Sequence, residues 1–381
     1  APDRVRGGAD GGQAVICGAR ARRVAGSGER AAVRDLVFDA LRCRGSFTAL
    51  AGAEEPSGLA LMIGHATAAG SDPESIFTGE GFAPAMLSAA ERARIGDVPD
   101  VSPEDLAGLD CPHWIAPQLR EALGGAFDAV MAAMRPRAPV FVRVNAARGT
   151  RREAMASLAR DGIETKLIDE SRYALQVTDN HKRIKSSTAY VGGLVELQDL
   201  SPQIAIEALP ADGGTTVLDY CAGGGGKALA LVAGGVRHVT AHDLSAKRMA
   251  DLPARARRAG ARVEIAGDGA LCGRQFDLVL LDVPCSGTGT WRRTPDAKWR
   301  LTPGRLEELC RVQAGILDRA AGFAGDAGCI AYMTCSLLRA ENGAQVQRFI
   351  DRNPGWSLGS EGVFTPLSGG DGFYSALLTR G

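Results

Sequence analysis

Cys285 lies in LLDVPCSGTGTWRR (280–293) and Cys335 in IAYMTCSLLRAEN (330–342), fifty residues further on. Each closes an apolar run of strand character and opens a polar turn. A thiol so placed becomes a nucleophile near neutral pH when positive charge or a base lowers its pKa. Both lie downstream of VLDYCAGGGGK (217–227), in which Gly223, Gly224, Gly225, Gly226 and Lys227 follow another strand and open a helix. Glycine at that turn lets backbone amides approach a ligand closely. A Walker phosphate loop is excluded, because Ala228 stands where Ser or Thr would hold the metal; a nicotinamide loop and a plain surface turn stay open for this segment alone. A glycine loop followed by two strand-end thiols suits an enzyme that holds a nucleotide-like cofactor and attacks a second substrate through sulfur.

The elements that must position these groups are short apolar strands alternating with helical patterns: TTVLDY (215–220), HVTAHD (238–243), VEIAG (263–267), FDLVLLDV (276–283) and GCIAYMTC (328–335). Such alternation predicts parallel βαβ units and a doubly wound sheet that binds ligands outside the carboxyl ends of its strands. Asp243, Asp268 and Asp282 sit at three of those ends. A single strand-end Asp often only caps a helix, but Asp243 behind a glycine loop can accept hydrogen bonds from both hydroxyls of a ribose. After Cys285, the run Trp291, Arg292, Arg293, Lys298, Trp299 interleaves cations with indoles, which can pair with phosphate and stack on an unpaired base.

Upstream, residues 1–27 lack a sustained apolar period and are expected to be poorly ordered. Val33, Val37, Ala40 and Leu41 in 29–50 share one stripe at helical spacing. Ile115, Leu119, Leu123, Phe127 and Met131 in 113–134 share another, which predicts a helical domain over 28–138. Residues 139–177 read as strand, helix, strand, strand, a small α/β subdomain over 139–182 that leads into the α/β domain at 183–381.

DVPCSGTGT, the RRTPDAKWR that follows and TCSLLRAEN resemble, in order and spacing, the Nol/Nop/Sun family of RNA cytosine-C5 methyltransferases, and within it the bacterial small-subunit rRNA methyltransferase B group. The resemblance implies a class I S-adenosylmethionine-dependent methyltransferase fold, an α/β Rossmann-like doubly wound sheet, with a NusB-like helical RNA-binding module before it. It implies S-adenosylmethionine as cofactor, held by Cys221, Ala222, Gly223, Gly224, Gly225, Gly226 and Lys227, with Asp243 on the ribose, Asp268 on the adenine and Asp282 near both cofactor and target base. It also implies that the Cys335 thiolate adds to C6 of a cytosine, so that C5 gains electron density and takes a methyl group, while Cys285 assists release of the product. DNA cytosine methyltransferases use a Pro-Cys thiol like Cys285 as nucleophile instead. An acid near N3 is needed as C6 is attacked, and Asp282 is placed for that role. Arg292, Arg293, Lys298 and Trp299 are the expected RNA contacts, and the target base must leave its stack. One departure is Gly223-Gly224, where the family has Ala-Pro, which leaves the loop less rigid.

With 381 residues the chain exceeds one compact core. No apolar run of membrane-spanning length occurs and no leader pattern is read, so the expected compartment is the cytoplasm. Nine cysteines, without a CxxC pair or a histidine cluster, are expected to be reduced thiols that hold no metal. Forty-four basic and 44 acidic residues balance, which argues against indiscriminate nucleic-acid binding and places any RNA affinity in local basic clusters. The expected partner is RNA, with small-subunit rRNA first and tRNA as an alternative, and the chain is expected to act as a monomer. A non-catalytic RNA-binding assembly factor on the same scaffold is the rival reading.

Overall fold

The structure, a computed structural model, describes residues 27–81, 83–96 and 105–380. Of the irregular terminus expected over residues 1–27, residues 1–26 lie outside the described residues, and Ser27 already begins the first described helix. Two compact units divide the chain: Ala1–Ala138 with Thr290–Thr302, and Pro139–Gly289 with Pro303–Gly381. Among the described residues no helix is long and apolar enough to cross a membrane.

The first unit is helical as the periodicity predicts, but its helices are shorter. The stripe over 29–50 splits into Ser27–Arg42 and Arg44–Leu50, hinged at Cys43. Val37, Ala40 and Leu41 are buried, whereas Val33 is 45% exposed and falls off the stripe. The pattern over 113–134 likewise becomes Ala116–Leu123 and Phe127–Ala133, because Gly124 and Gly125, poor helix formers, fall in its middle and take a tighter turn. Gly64 in the helix Gly58–Ala68 meets Arg44–Leu50 so closely that an added Cβ would lie 1.9 Å from the Phe47 carbonyl oxygen.

Thr290–Thr302, read from the sequence as part of the α/β domain, belongs to this helical unit. The reason is capping. The helix Ser27–Arg42 ends with carbonyls that no later turn can satisfy; Trp299 Nε1 donates to Leu41 O at 2.7 Å and Lys298 Nζ to Arg42 O at 2.9 Å.

The second unit holds two sheets. The smaller is antiparallel, in the order β2-β3-β1-β4, from β1 (Val140–Val144), β2 (Thr165–Leu167), β3 (Ala174–Val177) and β4 (Val195–Leu197). The expected strand-helix-strand-strand order is present, with Arg151–Arg160 as the helix, but the boundary at 182 is too early. Val142 of β1 pairs with Leu197 of β4, and three residues were too few to show a period.

The larger sheet is β10-β11-β9-β8-β5-β6-β7, from β5 (Thr216–Asp219), β6 (His238–Ala241), β7 (Glu264–Ile265), β8 (Phe276–Asp282), β9 (Ala324–Thr334), β10 (Trp356–Phe364) and β11 (Phe373–Arg380). β5 to β9 pair in parallel and the C-terminal β10–β11 hairpin joins antiparallel to β9. Leu278, Val279, Leu280 and Leu281 of β8 have no exposed surface, as a strand covered on both faces requires. β5 has β6 on one side and β8 on the other, so the chain changes direction at β5 and opens a crevice at the carboxyl ends.

Gly64→Ala is expected to weaken the helical unit by about 1–3 kcal/mol through overpacking against the Phe47 carbonyl; urea unfolding should show an earlier first transition.

Candidate active site

The glycine loop is built by tight geometry at the end of β5. Gly225 takes φ +76°, and a Cβ there would lie 2.2 Å from Leu252 Cδ1, so only glycine fits at this N-terminus of the helix Gly226–Ala233. Arg143 of β1, buried and pushed down to about 10 by that burial, donates to Gly226 O at 3.0 Å. Arg255 donates to Gly224 O. The loop is thereby gripped through its carbonyls.

Asp243 stands just beyond β6. Its Oδ2 accepts from Gly223 N–H at 3.0 Å and its Oδ1 from Ser245 N–H at 2.9 Å, with Arg248 Nη1 3.3 Å away. A carboxylate offers about four lone-pair positions, so room is left for a ligand hydroxyl, and more if the half-exposed Arg248 swings out. Asp268 follows β7 and pairs with Arg319 at 2.9 Å and with His242 Nε2 at 3.3 Å. Burial pushes the Cys221 thiol up to about 12.

Lys227 and Asp282 form an ion pair at 2.5 Å. Burial works against the Lys227 charge, but Asp282 and Asp219 more than offset it and hold the ammonium above its ordinary value. Asp219, at the end of β5, was not singled out from the sequence. It is 1% exposed and accepts from Ala228 N–H at 3.1 Å, and burial pushes its carboxyl up to about 7 despite Lys227 nearby.

The two thiols meet. Cys285 Sγ and Cys335 Sγ are 3.3 Å apart, in the turns that follow β8 and β9. The hydrogen bond to Cys335 and burial push the Cys285 thiol well above its ordinary value. Gly289 N–H donates to Cys335 O at 2.9 Å, and Thr288 Oγ1 accepts from Leu337 N–H at 2.8 Å, so the two turns are laced together. Ser286, Ser336, Glu341 and Asn342, which complete this lacing, also escaped the sequence reading; as polar residues of a loop they carry no periodic signal.

The expected RNA contacts fare differently. Lys298 is 2% exposed and Arg292 4%, with Lys298 Nζ committed to Arg42 O and Arg42 Nε donating to Arg292 O at 2.7 Å. Neither presents its charge to a phosphate. Trp299 is half-buried, its N–H spent on Leu41 O and the Arg44 guanidinium 4.7 Å above its ring, so it is a packing residue. Arg293 is half-buried.

Two family models match this chain. The 16S rRNA methyltransferase RsmB/F model covers residues 206–377, and the ferredoxin-like domain model of the same RsmF/B methyltransferases covers residues 111–182. Over those residues the chain carries the domains of the RsmB/F methyltransferase family. Curated members similar to it include ribosomal RNA small subunit methyltransferase B of Cronobacter sakazakii, 33% identical over 284 residues, and that of Klebsiella pneumoniae, 32% identical over 286 residues. Each alignment takes in 71% of this chain and 66% of the relative, so the chain spans just under two thirds of those family members. The fold is shared with the crystal structure of PH0851, at a TM-score of 0.73 and 21% identity over 95% of this chain and 92% of that one. It is shared too with NSun6 from Pyrococcus horikoshii, solved with SFG, at 0.62 and 17% over 71% and 98%. These neighbours and the mixed sheet establish the class I methyltransferase fold with a helical N-terminal region.

A folded carboxyl held above its unfolded value lowers stability as pH rises from the unfolded toward the folded pKa, here from about 4 to about 7 for Asp219. Asp219→Asn removes that loss. Relative to wild type, the variant should therefore be more stable at pH 8 than at pH 5, as measured by urea midpoints at the two pH values.

Proposed function

We propose that this chain transfers a methyl group from S-adenosylmethionine to C5 of a cytosine in RNA, with small-subunit rRNA as substrate, through a covalent bond between Cys335 and C6. The observation that carries the reading is the pair of thiols 3.3 Å apart beside the Lys227–Asp282 ion pair.

The crevice suits the cofactor. The cradle at Gly225 has no space for a Cβ, the loop carbonyls are tied back by Arg143 and Arg255, and Asp243 keeps acceptor capacity for a ribose. Cys221 to Lys227, Asp243, Asp268 and Asp282 would hold it, and when bound it supplies an electrophilic methyl group.

The residues divide the chemistry as follows. Cys285 keeps its proton at neutral pH, because Cys335 and burial disfavour its thiolate, which leaves Cys335 to attack. The Lys227 ammonium lies within Coulombic reach of Cys335. The Cys335 sulfur adds to C6 as the ring's electron pair passes toward C5 and N3, and the thiol proton, relayed by Asp282, goes to N3. C5 takes the methyl group and its remaining proton passes to water, the freed pair re-forms the C5–C6 double bond as the sulfur–C6 bond breaks, and N3 returns its proton to the departing sulfur. Cys285, in contact with the bonded sulfur, assists this elimination.

Cys335→Ala should abolish both methyl transfer and any protein–RNA adduct. Cys285→Ala should attack and methylate but release slowly, leaving an adduct that survives denaturing electrophoresis. A slow band from Cys335→Ala and none from Cys285→Ala would reverse the roles. Bisulfite sequencing of rRNA and tRNA from cells with and without the gene identifies the substrate. Asp243→Ala should weaken S-adenosylmethionine binding, measured by calorimetry, by about 1–3 kcal/mol through lost charge-assisted hydrogen bonds.

A further inference from the structure

Behind the two thiols lies a carboxyl with no exposed surface, Glu341. Its Oε1 accepts from Ser286 N–H at 2.8 Å and from Gln313 Nε2 at 3.0 Å. Its Oε2 accepts from Ser286 Oγ and, at 2.5 Å, from Ser336 Oγ. Ser286 and Ser336 directly follow Cys285 and Cys335, so two Cys-Ser dipeptides face each other, sulfur to sulfur at 3.3 Å and hydroxyl to hydroxyl at 3.4 Å. Gln313 extends the grip to Pro284 O, the carbonyl before Cys285, at 3.0 Å. Tyr332 donates its hydroxyl to the backbone carbonyl of Glu341 at 2.6 Å and fixes the clamp from the β9 side.

A buried carboxylate that accepts from neutral donors is a costlier way to fill space than an apolar side chain of like size. What an apolar residue could not do is accept from both loops at once. We propose that Glu341 is the positioning residue of the thiol pair, its two oxygens tying the turn after β8 to the turn after β9 and so setting the separation of Cys285 and Cys335. The proposal rests on the thiol mechanism above. It is supported by charge as well as geometry, since Glu341 adds to the Cys335 hydrogen bond and to burial in keeping the Cys285 thiol protonated. Cys310 nearby is pushed up first by burial and then by the same charge, and Tyr332 by burial, then by Cys285 and Glu341.

The test uses the full chain and reads the clamp twice. Diamide, a diazene, takes two electrons and two protons from a pair of thiols as their sulfur–sulfur bond forms, and peptide mass spectrometry counts the free thiols left at 285 and 335. Glu341→Ala should slow this closure roughly tenfold, and should lower kcat for methyl transfer roughly 100-fold, because small displacements of reacting groups cost that much. KM for RNA and affinity for S-adenosylmethionine should not move. Glu341→Gln, which keeps the length and can bond both loops, should restore most of both rates, whereas Glu341→Asp, one methylene shorter, should not. Equal closure rates in wild type and Glu341→Ala overturn the clamp whatever the substrate proves to be. Slowed closure in a protein whose wild type methylates no RNA would leave the clamp standing and remove the functional reading. Should Glu341→Ala fail to fold, Glu341→Asp decides: closure as fast as wild type sinks the proposal.

Discussion

The parallel pairing of β8 with β9 is the constraint on which the site depends. Leu280 stands opposite Ala331 and Asp282 opposite Met333, so the turns that carry Cys285 and Cys335 leave the sheet abreast. Neighbouring strands are about 4.8 Å apart, a spacing that two facing side chains close to sulfur contact. The register is held by burial on both faces. Val279, Leu281, Ile330 and Tyr332 pack into one core, and Leu278, Leu280, Ala331 and Met333 into the other. A slip of one residue would exchange those sets and carry each thiol to the wrong side of the sheet.

Around this frame the unit concentrates charge where a globular core would exclude it. Asp219, Lys227 and Asp282 run from the end of β5 to the end of β8, and Arg143 and Glu341 are buried as well. Each is tied to a backbone group or a neighbour that fixes its direction, which preorganises the crevice before any ligand enters. The same ties make these residues intolerant of neighbours that alter the packing, since low dielectric strengthens every interaction and penalises each one lost.

What could be read from the sequence follows from how local each signal is. The strands from β5 to β9 and the motifs at their ends are contiguous stretches with their own apolar pattern, so Lys227, Asp243, Asp282, Cys285 and Cys335 were legible before any coordinates, and the structure gathers them at one end of one sheet. β4 has three residues and pairs only with a partner fifty positions earlier, so no local pattern announces it. Glu341 and Asp219 matter through partners far along the chain, and a lone acidic residue looks alike whether it caps a turn or bridges two loops. Lys298 and Arg292 misled for the converse reason: cations beside indoles resemble a nucleic-acid surface, but Lys298 is claimed by the carbonyl end of a helix and Arg292 is buried, its own carbonyl accepting from Arg42.

The excursion Thr290–Thr302 bears on how the chain is made. A polypeptide emerges from the ribosome amino end first, and its domains ordinarily fold in that order. Here the helical unit lacks its closing helix, Pro295–Arg300, until most of the α/β unit has been synthesised. The carbonyls of Leu41 and Arg42 wait for Trp299 and Lys298 across more than two hundred and fifty residues. The first unit to appear therefore stays unfinished until residues 290–302 have emerged, with only the segment that carries β9, β10 and β11 of the α/β unit still to be made.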